Sequence, residues 1–160
     1  MPDRPLVVQR ATTAPELERV HRLRLEVFVH EQGVPPAEEL DDRDHEPGAV
    51  HLLAVAGGED LGTARLLVEE PGRVHLTRVA VSARARGLGV GRALMAFAEQ
   101  IAAQEQAAGG MVRVELSAQE SALGFYRALG YSIGTDRYYD AGIRHADAVK
   151  VIPGGSATGS

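Results

Sequence analysis

Val79-Ala80-Val81-Ser82-Ala83-Arg84-Ala85-Arg86-Gly87-Leu88-Gly89-Val90-Gly91-Arg92 joins an apolar strand to the start of the most periodic helix in the chain. A helix start offers unpaired N–H groups and the positive end of the helix dipole. Glycines at 87, 89 and 91 leave no side chains to keep an anion away from those amides. Arg84, Arg86 and Arg92 place positive charge on the same turn of an otherwise acidic chain. The segment therefore reads as a pyrophosphate cradle, with a tight turn carrying solvated arginines as the alternative. A dinucleotide fingerprint does not fit, because Gly87-x-Gly89 leads to Arg92 and Gly89-x-Gly91 leads to Leu94. No acidic residue stands about 20 positions on, where the chain has Ala107 to Met111, and there is no Gly-Lys-Ser/Thr of a Walker loop.

The periodicity around this turn predicts the remaining elements. Upstream, Val50–Ala56, Leu61–Glu69 and Arg73–Val81 read as three strands, separated by Gly57-Gly58-Glu59-Asp60 and Glu70-Pro71-Gly72, and so as an antiparallel meander. Leu6–Arg10 reads as a first strand. Thr13-Ala14-Pro15-Glu16 fits a capping box, followed at helical spacing by Leu17, Val20, Leu23, Arg24, Val27 and Phe28. Arg24 is the polar residue on that apolar stripe. Glu31 to Gly48 holds three prolines and many acids and reads as a long solvated loop, of the kind that is usually functional or mobile. Downstream, Val90, Leu94, Phe97, Ala98 and Ile101 mark a helix face closed by Gly109-Gly110. Met111–Leu116 is a strand, and Ala122, Phe125, Tyr126 and Leu129 form a shorter helix ending at Gly130. Tyr131–Ile133 and Ile143–Ile152 complete a β-α-β-β-β-α-β-α-β-β order, a mixed α/β (α+β) layout with helices covering a central sheet.

With 160 residues, the chain has the length of one domain, expected over residues 1–152, with a flexible Gly/Ser-rich tail from Pro153 to Ser160. The formal charge of −5 disfavours a nucleic-acid partner. With no cysteine, a disulfide framework, a thiolate zinc site and a cysteine nucleophile are excluded. The run Asp41-Asp42-Arg43-Asp44-His45-Glu46 lacks the spacing and the glycine of a calcium loop, so no metal is expected; its charge would suit a cationic amine. Leu6-Val7-Val8 is too short for a signal segment, and no apolar stretch approaches the roughly 18 residues of a membrane span, so a cytoplasmic protein is expected.

Arg86-x-x-Gly89-x-Gly91 resembles the (Gln/Arg)-x-x-Gly-x-(Gly/Ala) signature of the GNAT N-acetyltransferases. The preceding Val79-Ala80-Val81 resembles that family's fourth strand, and Phe125-Tyr126-Arg127-Ala128-Leu129-Gly130-Tyr131 its Phe-Tyr-x-x-Leu-Gly-Phe segment. Within the family, the ElaA-like branch is the most similar. Val27-Phe28-Val29-His30-Glu31-Gln32-Gly33-Val34-Pro35, Ala118-Gln119 and Gly142-Ile143-Arg144-His145 resemble that branch's motifs, with Arg144 in place of a proline and Ala83 at another position where many members have one.

The resemblance implies a GNAT-type, largely antiparallel sheet flanked by helices and split between the fourth and fifth strands, with the cofactor in the opening. It implies acetyl-CoA as co-substrate, a primary amine of a small molecule or peptide as acceptor, and direct attack in a ternary complex; a non-catalytic acyl-CoA-binding or sensing module is the alternative. Cofactor contacts fall on Val79, Ala80, Val81, Arg86, Gly87, Leu88, Gly89, Val90, Gly91, Arg92, Gln119 and Tyr126. Tyr126 is expected to protonate the leaving thiolate, although it also fits the core stripe of its helix. Glu31 is expected to act as general base, with His51, His75 and His145 as rivals because histidine titrates near neutral pH. By analogy with the family, a homodimer is an option.

Overall fold

The computed structural model describes residues 5–155; Met1–Arg4 and the last five residues of the expected tail lie outside that range. The elements are β1 (Val7–Ala11), α1 (Ala14–Arg24), α2 (Pro36–Glu39), β2 (Val50–Ala56), β3 (Glu59–Glu70), β4 (Arg73–Val81), α3 (Val90–Glu105), β5 (Met111–Gln119), α4 (Leu123–Ala128), β6 (Ser132–Ile133), β7 (Tyr138–Asp140) and β8 (Ile143–Pro153). The strand order is β1-β2-β3-β4-β5-β8-β6, with β7 also paired to β8. β4–β5 is parallel, whereas β1–β2, β2–β3, β5–β8, β6–β8 and β7–β8 are antiparallel. The β4–β5 ladder is short. It pairs Arg73–Leu76 with Arg113–Leu116, and both strands then continue without further rungs to each other among the described residues. The chain divides into two compact units, Met1–Leu66 with Arg78–Ala98, and Leu67–Thr77 with Glu99–Ser160.

In the first unit the capping box forms as its spacing predicts. Glu16 N–H donates to Thr13 Oγ1 at 3.3 Å, and Thr13 N–H donates to Glu16 Oε1 at 3.0 Å. The apolar stripe of α1 puts Val20 and Leu23 against Ala11 and Leu53, with Leu17 and Val55 packed alongside. The helix does not stop at Arg24. It widens into a π-helix over Leu25–Glu31, in which Gln32 N–H reaches Val27 O at 3.0 Å, and Gly33 turns the chain out at φ 77°. Such widened turns concentrate at functional sites.

Gly62 on β3 sets how closely α3 approaches the strands. A Cβ there would lie 2.8 Å from Val90 Cγ1, 2.9 Å from Leu94 Cδ1 and 3.1 Å from the Ala80 carbonyl oxygen. Gly62→Ala is therefore expected to cost about 1–3 kcal/mol through overpacking, read as a lower urea midpoint at unchanged m-value. An unchanged midpoint would show that the helix start yields freely.

In the second unit β5 alternates as its sequence predicts, burying Val112, Val114, Leu116 and Ala118. β7 was not expected. It pairs with β8 through Ala141 (φ 51°) and Gly142 (φ 77°), two left-handed residues as a type I′ hairpin requires. Alanine in the place usually held by Asn or Asp hides that turn from the sequence. The expected tail also starts late: β8 runs to Pro153, and the N–H groups of Gly154 and Gly155 donate to Gly110 O at 2.8 Å and Ala103 O at 3.0 Å. Among the described residues no helix is long and apolar enough to cross a membrane.

Candidate active site

The glycine-rich turn is built as its composition dictates. β4 ends at Val81, Ser82 N–H is tied to Leu61 O at 2.9 Å, and one 3₁₀ turn over Ala83–Ala85 carries the chain round. Gly87 and Gly89 then adopt φ 82° and 81°, a region that L side chains enter only with strain. A Cβ at either glycine would meet nothing within 4 Å, so both face open space. Ala93 N–H makes the first helical bond, to Gly89 O at 3.0 Å, while buried Val90 anchors the helix start. The N–H groups of the first turn, Val90 to Arg92, have no intrahelical acceptor. Among the described residues no backbone acceptor takes the Gly87 or Gly89 N–H either. An open run of donors at the positive end of a 16-residue helix is of the kind that suits a pyrophosphate.

The charge on the turn is distributed differently from the sequence expectation. Arg86 donates through Nη2 to Glu31 Oε1 at 2.7 Å and through Nη1 to Glu31 Oε2, and its Nε and Nη2 also reach Val81 O at 3.2 and 3.1 Å. Arg84 donates to Ser82 Oγ at 2.6 Å and Asp60 O at 2.9 Å, with Glu59 and Glu26 at 3.4 and 3.7 Å. Only Arg92 of the three is exposed without an ion pair among the described residues. The turn thus offers mainly backbone donors, with Arg92 exposed and Leu88 exposed between the two left-handed glycines.

The same clasp bears on the expected base. Hydrogen bonds from Arg86, helped by its charge, hold the Glu31 carboxyl below the usual carboxylate range. Glu31, the expected base, therefore takes up a proton less readily than a free carboxylate.

Val79, Ala80 and Val81 follow a bend in β4. Arg78 sits at φ 56°, two residues beyond the last β4–β5 rung, and its Nη2 donates to Glu39 O at 2.9 Å and Asp41 Oδ2 at 3.2 Å. Those acceptors belong to the segment expected to be a solvated loop. Glu39, Asp41 and Asp44 are instead drawn onto arginines. Arg24, fully buried, holds Glu39 through Nε and Asp44 Oδ1 through Nη1 at 2.7 Å. Arg65 holds Asp41 at 2.6 Å and Asp44 at 2.7 Å. Asp41-to-Glu46 therefore attracts the chain's own arginines, which removes the motive for expecting a cationic acceptor on it. His51 is locked into the same network, its Nε2 3.0 Å from Asp44 O, and burial pushes its pKa down. His75 stands opposite Glu115 in the β4–β5 ladder.

Tyr126 lies in the second unit on α4, 7% exposed, packed edge-on against Phe125 and Tyr131 with ring centroids 5.0 and 5.8 Å away. Its hydroxyl makes no hydrogen bond among the described residues, and burial pushes its pKa up to about 12. Gln119 ends β5 half-buried, directly opposite His145 of β8. Arg144, standing where the branch has proline, does not disturb the strand: its exposed guanidinium lies 3.6 Å from Glu120 while His145 stays buried.

A family model for the acetyltransferase (GNAT) family matches residues 17–131. The "Uncharacterized N-acetyltransferase YjcF" of Bacillus subtilis (strain 168) is 34% identical over 136 residues, covering 84% of this chain and 92% of that protein. Among solved structures, an acyl-CoA N-acyltransferase from Pseudomonas aeruginosa superposes with a TM-score of 0.78 at 32% identity, over 92% of this chain and 99% of that one. Escherichia coli ElaA gives 0.75 at 27% identity, over 91% and 98%.

Proposed function

Because the chain belongs to the GNAT acetyltransferase family, we propose that it moves an acetyl group from acetyl-CoA to a primary amine of a small molecule or peptide, by direct attack while both are bound. The observation that carries this reading is the pair of open, left-handed glycines, Gly87 and Gly89, at the start of α3. Bound acetyl-CoA supplies an acetyl group activated as a thioester. Backbone N–H groups from Gly87 to Arg92 would hold its pyrophosphate, and Arg92 would add charge. Arg86 would act through its grip on Val81 O and Glu31, shaping the turn. The backbone of Val79–Val81 would receive the amide-rich arm as an added strand, with Gln119 a further contact.

Tyr126 would donate a hydrogen bond to the departing sulfur. At a pKa of about 12 the phenol is fully protonated at neutral pH, which is the form a donor needs. An ordinary thiol has a pKa of about 8.5, so complete transfer from the phenol is uphill and partial sharing is the more economical assistance. Tyr126→Phe is accordingly expected to lower kcat by at least roughly tenfold, less than the typical ~10²–10⁴-fold of full general-acid catalysis because the proton is only partly shared, with little change in acetyl-CoA KM. Full turnover with a lowered Tm would instead assign Tyr126 to packing against Phe125 and Tyr131.

A panel of polyamines, aminoglycosides, amino acids and peptides, followed by CoA thiol release, tests the function. Release with at least one amine is the expected result. Acetyl-CoA binding without turnover across the panel would favour the acyl-CoA-binding module.

A further inference from the structure

Resting on the acetyltransferase reading, we propose that His145 is the general base, taking a proton at Nε2 from an alkylammonium acceptor, and that Tyr138, Ser117 and Asp147 fix it in position.

Three strands put these groups on one face. Gln119 of β5 pairs directly with His145 of β8, and His145 with Tyr138 of β7, while Ser117 and Asp147 are the paired residues of the next row. Direct cross-strand partners share a face of the sheet, and so do residues two apart on one strand. The row Gln119–His145–Tyr138 lies at the end of β5 that extends three residues past its last rung to β4.

The ring is held in one orientation and one tautomer. His145 Nδ1 is 2.6 Å from the Ile143 carbonyl oxygen. A carbonyl only accepts, so Nδ1 carries the proton and the neutral ring keeps its lone pair on Nε2. Nε2 has no partner among the described residues. It is also not among the fully buried nitrogens that lack one, unlike His51 Nδ1, so it keeps some contact with solvent. The imidazole stacks on Tyr138 with centroids 6.1 Å apart and planes at 18°.

Tyr138 is itself pinned. Its hydroxyl donates to Asp147 Oδ1 at 2.6 Å. A phenol has one proton, so the short contact with Ser117 Oγ must be donated by the serine. Arg144, next to His145 in the chain, lies 3.6 Å from Glu120, which is also 3.7 Å from Arg137. Glu31, by contrast, has both oxygens engaged by Arg86.

The protons balance. An R–NH₃⁺ acceptor gives one proton to His145 Nε2, which later passes it to solvent. The freed nitrogen lone pair forms the C–N bond to the acetyl carbon, and the C–S bond breaks. The second proton lost from nitrogen is matched by the one that ends on the CoA sulfur. A base of this kind matters for alkylamines, which are protonated at neutral pH, and not for weakly basic amines.

His145→Asn tests this, because the shorter amide can still donate to Ile143 O but has no atom at Nε2. With kanamycin, spermidine, L-lysine or an alanyl peptide, whichever turns over fastest, kcat/KM at pH 7 is expected to fall about 100-fold or more. Acetyl-CoA Kd and Tm are expected to stay within twofold and about 2 °C. ¹⁵N spectra of the wild-type protein are expected to show His145 protonated at Nδ1 and bare at Nε2. Retention of activity within about threefold, a matching loss of acetyl-CoA binding, or a proton on Nε2 in the neutral ring would each overturn the assignment while leaving the acetyltransferase reading intact. Failure of the wild type with every amine would overturn both.

Discussion

Gly89→Glu is expected to weaken acetyl-CoA binding by about 100-fold or more, which corresponds to roughly 2.7 kcal/mol. Two effects act together. The backbone at Gly89 stands at φ 81°, where a side chain costs about 1–2 kcal/mol of strain. The added Cβ would point into open space, so the protein itself does not reject the carboxylate. It would project among the N–H groups meant for a pyrophosphate, setting like charge against like charge. Gly89→Ala carries the strain without the charge and should bind within about tenfold of the wild type. Titration calorimetry with acetyl-CoA reads both variants, and wild-type affinity in Gly89→Glu would remove the cradle from this turn.

The largest stability effect is expected from Arg24→Met. The Arg24 guanidinium is fully buried between Glu39 and Asp44. Its removal leaves carboxylates in the interior with too few donors, and breaking a buried pair costs about 3–5 kcal/mol. Against a typical total of roughly 5–15 kcal/mol, the variant should be largely unfolded at a urea concentration the wild type tolerates. Arg24→Lys should recover only part of the loss, because one ammonium cannot match the two-sided fork. Ionisation gives a second readout. Burial alone would raise the Asp44 pKa, but hydrogen bonds and charge from Arg24 and Arg65 reverse this and lower it to about 2. A depressed carboxylate contributes stability above its unfolded pKa of about 4 and loses it as pH falls through about 2, in all about 2 kcal/mol. Acid unfolding should therefore begin at higher pH in Arg24→Met. Equal urea and acid midpoints in the two proteins would show the network to be energetically idle.

That network also marks where sequence reading stopped. Arg24 stood out as a polar residue on an apolar stripe, and Arg65 interrupts a buried strand between Ala64 and Leu66. Two arginines in apolar settings beside an acid-rich segment were the available signal. Their partners lie 15 to 24 positions away, on elements whose spacing carries no period. A run of acids looks solvated until the arginines that enclose it are known.

The sequence by itself determined the glycine-rich turn at the helix start, the capping box, the strand from Met111 and the family, because each depends on neighbours within a few residues. A glycine required at φ 81°, or an apolar face repeating every 3.6 residues, is written locally. Only the tertiary structure decided that Arg86 closes on Glu31, that Glu39 and Asp44 are buried, and that His145, Tyr138, Ser117 and Asp147 share one face. Ion pairs and proton acceptors are selected by which side chains arrive at the same place. That choice follows from strand register and helix packing over the whole chain, which no local spacing encodes.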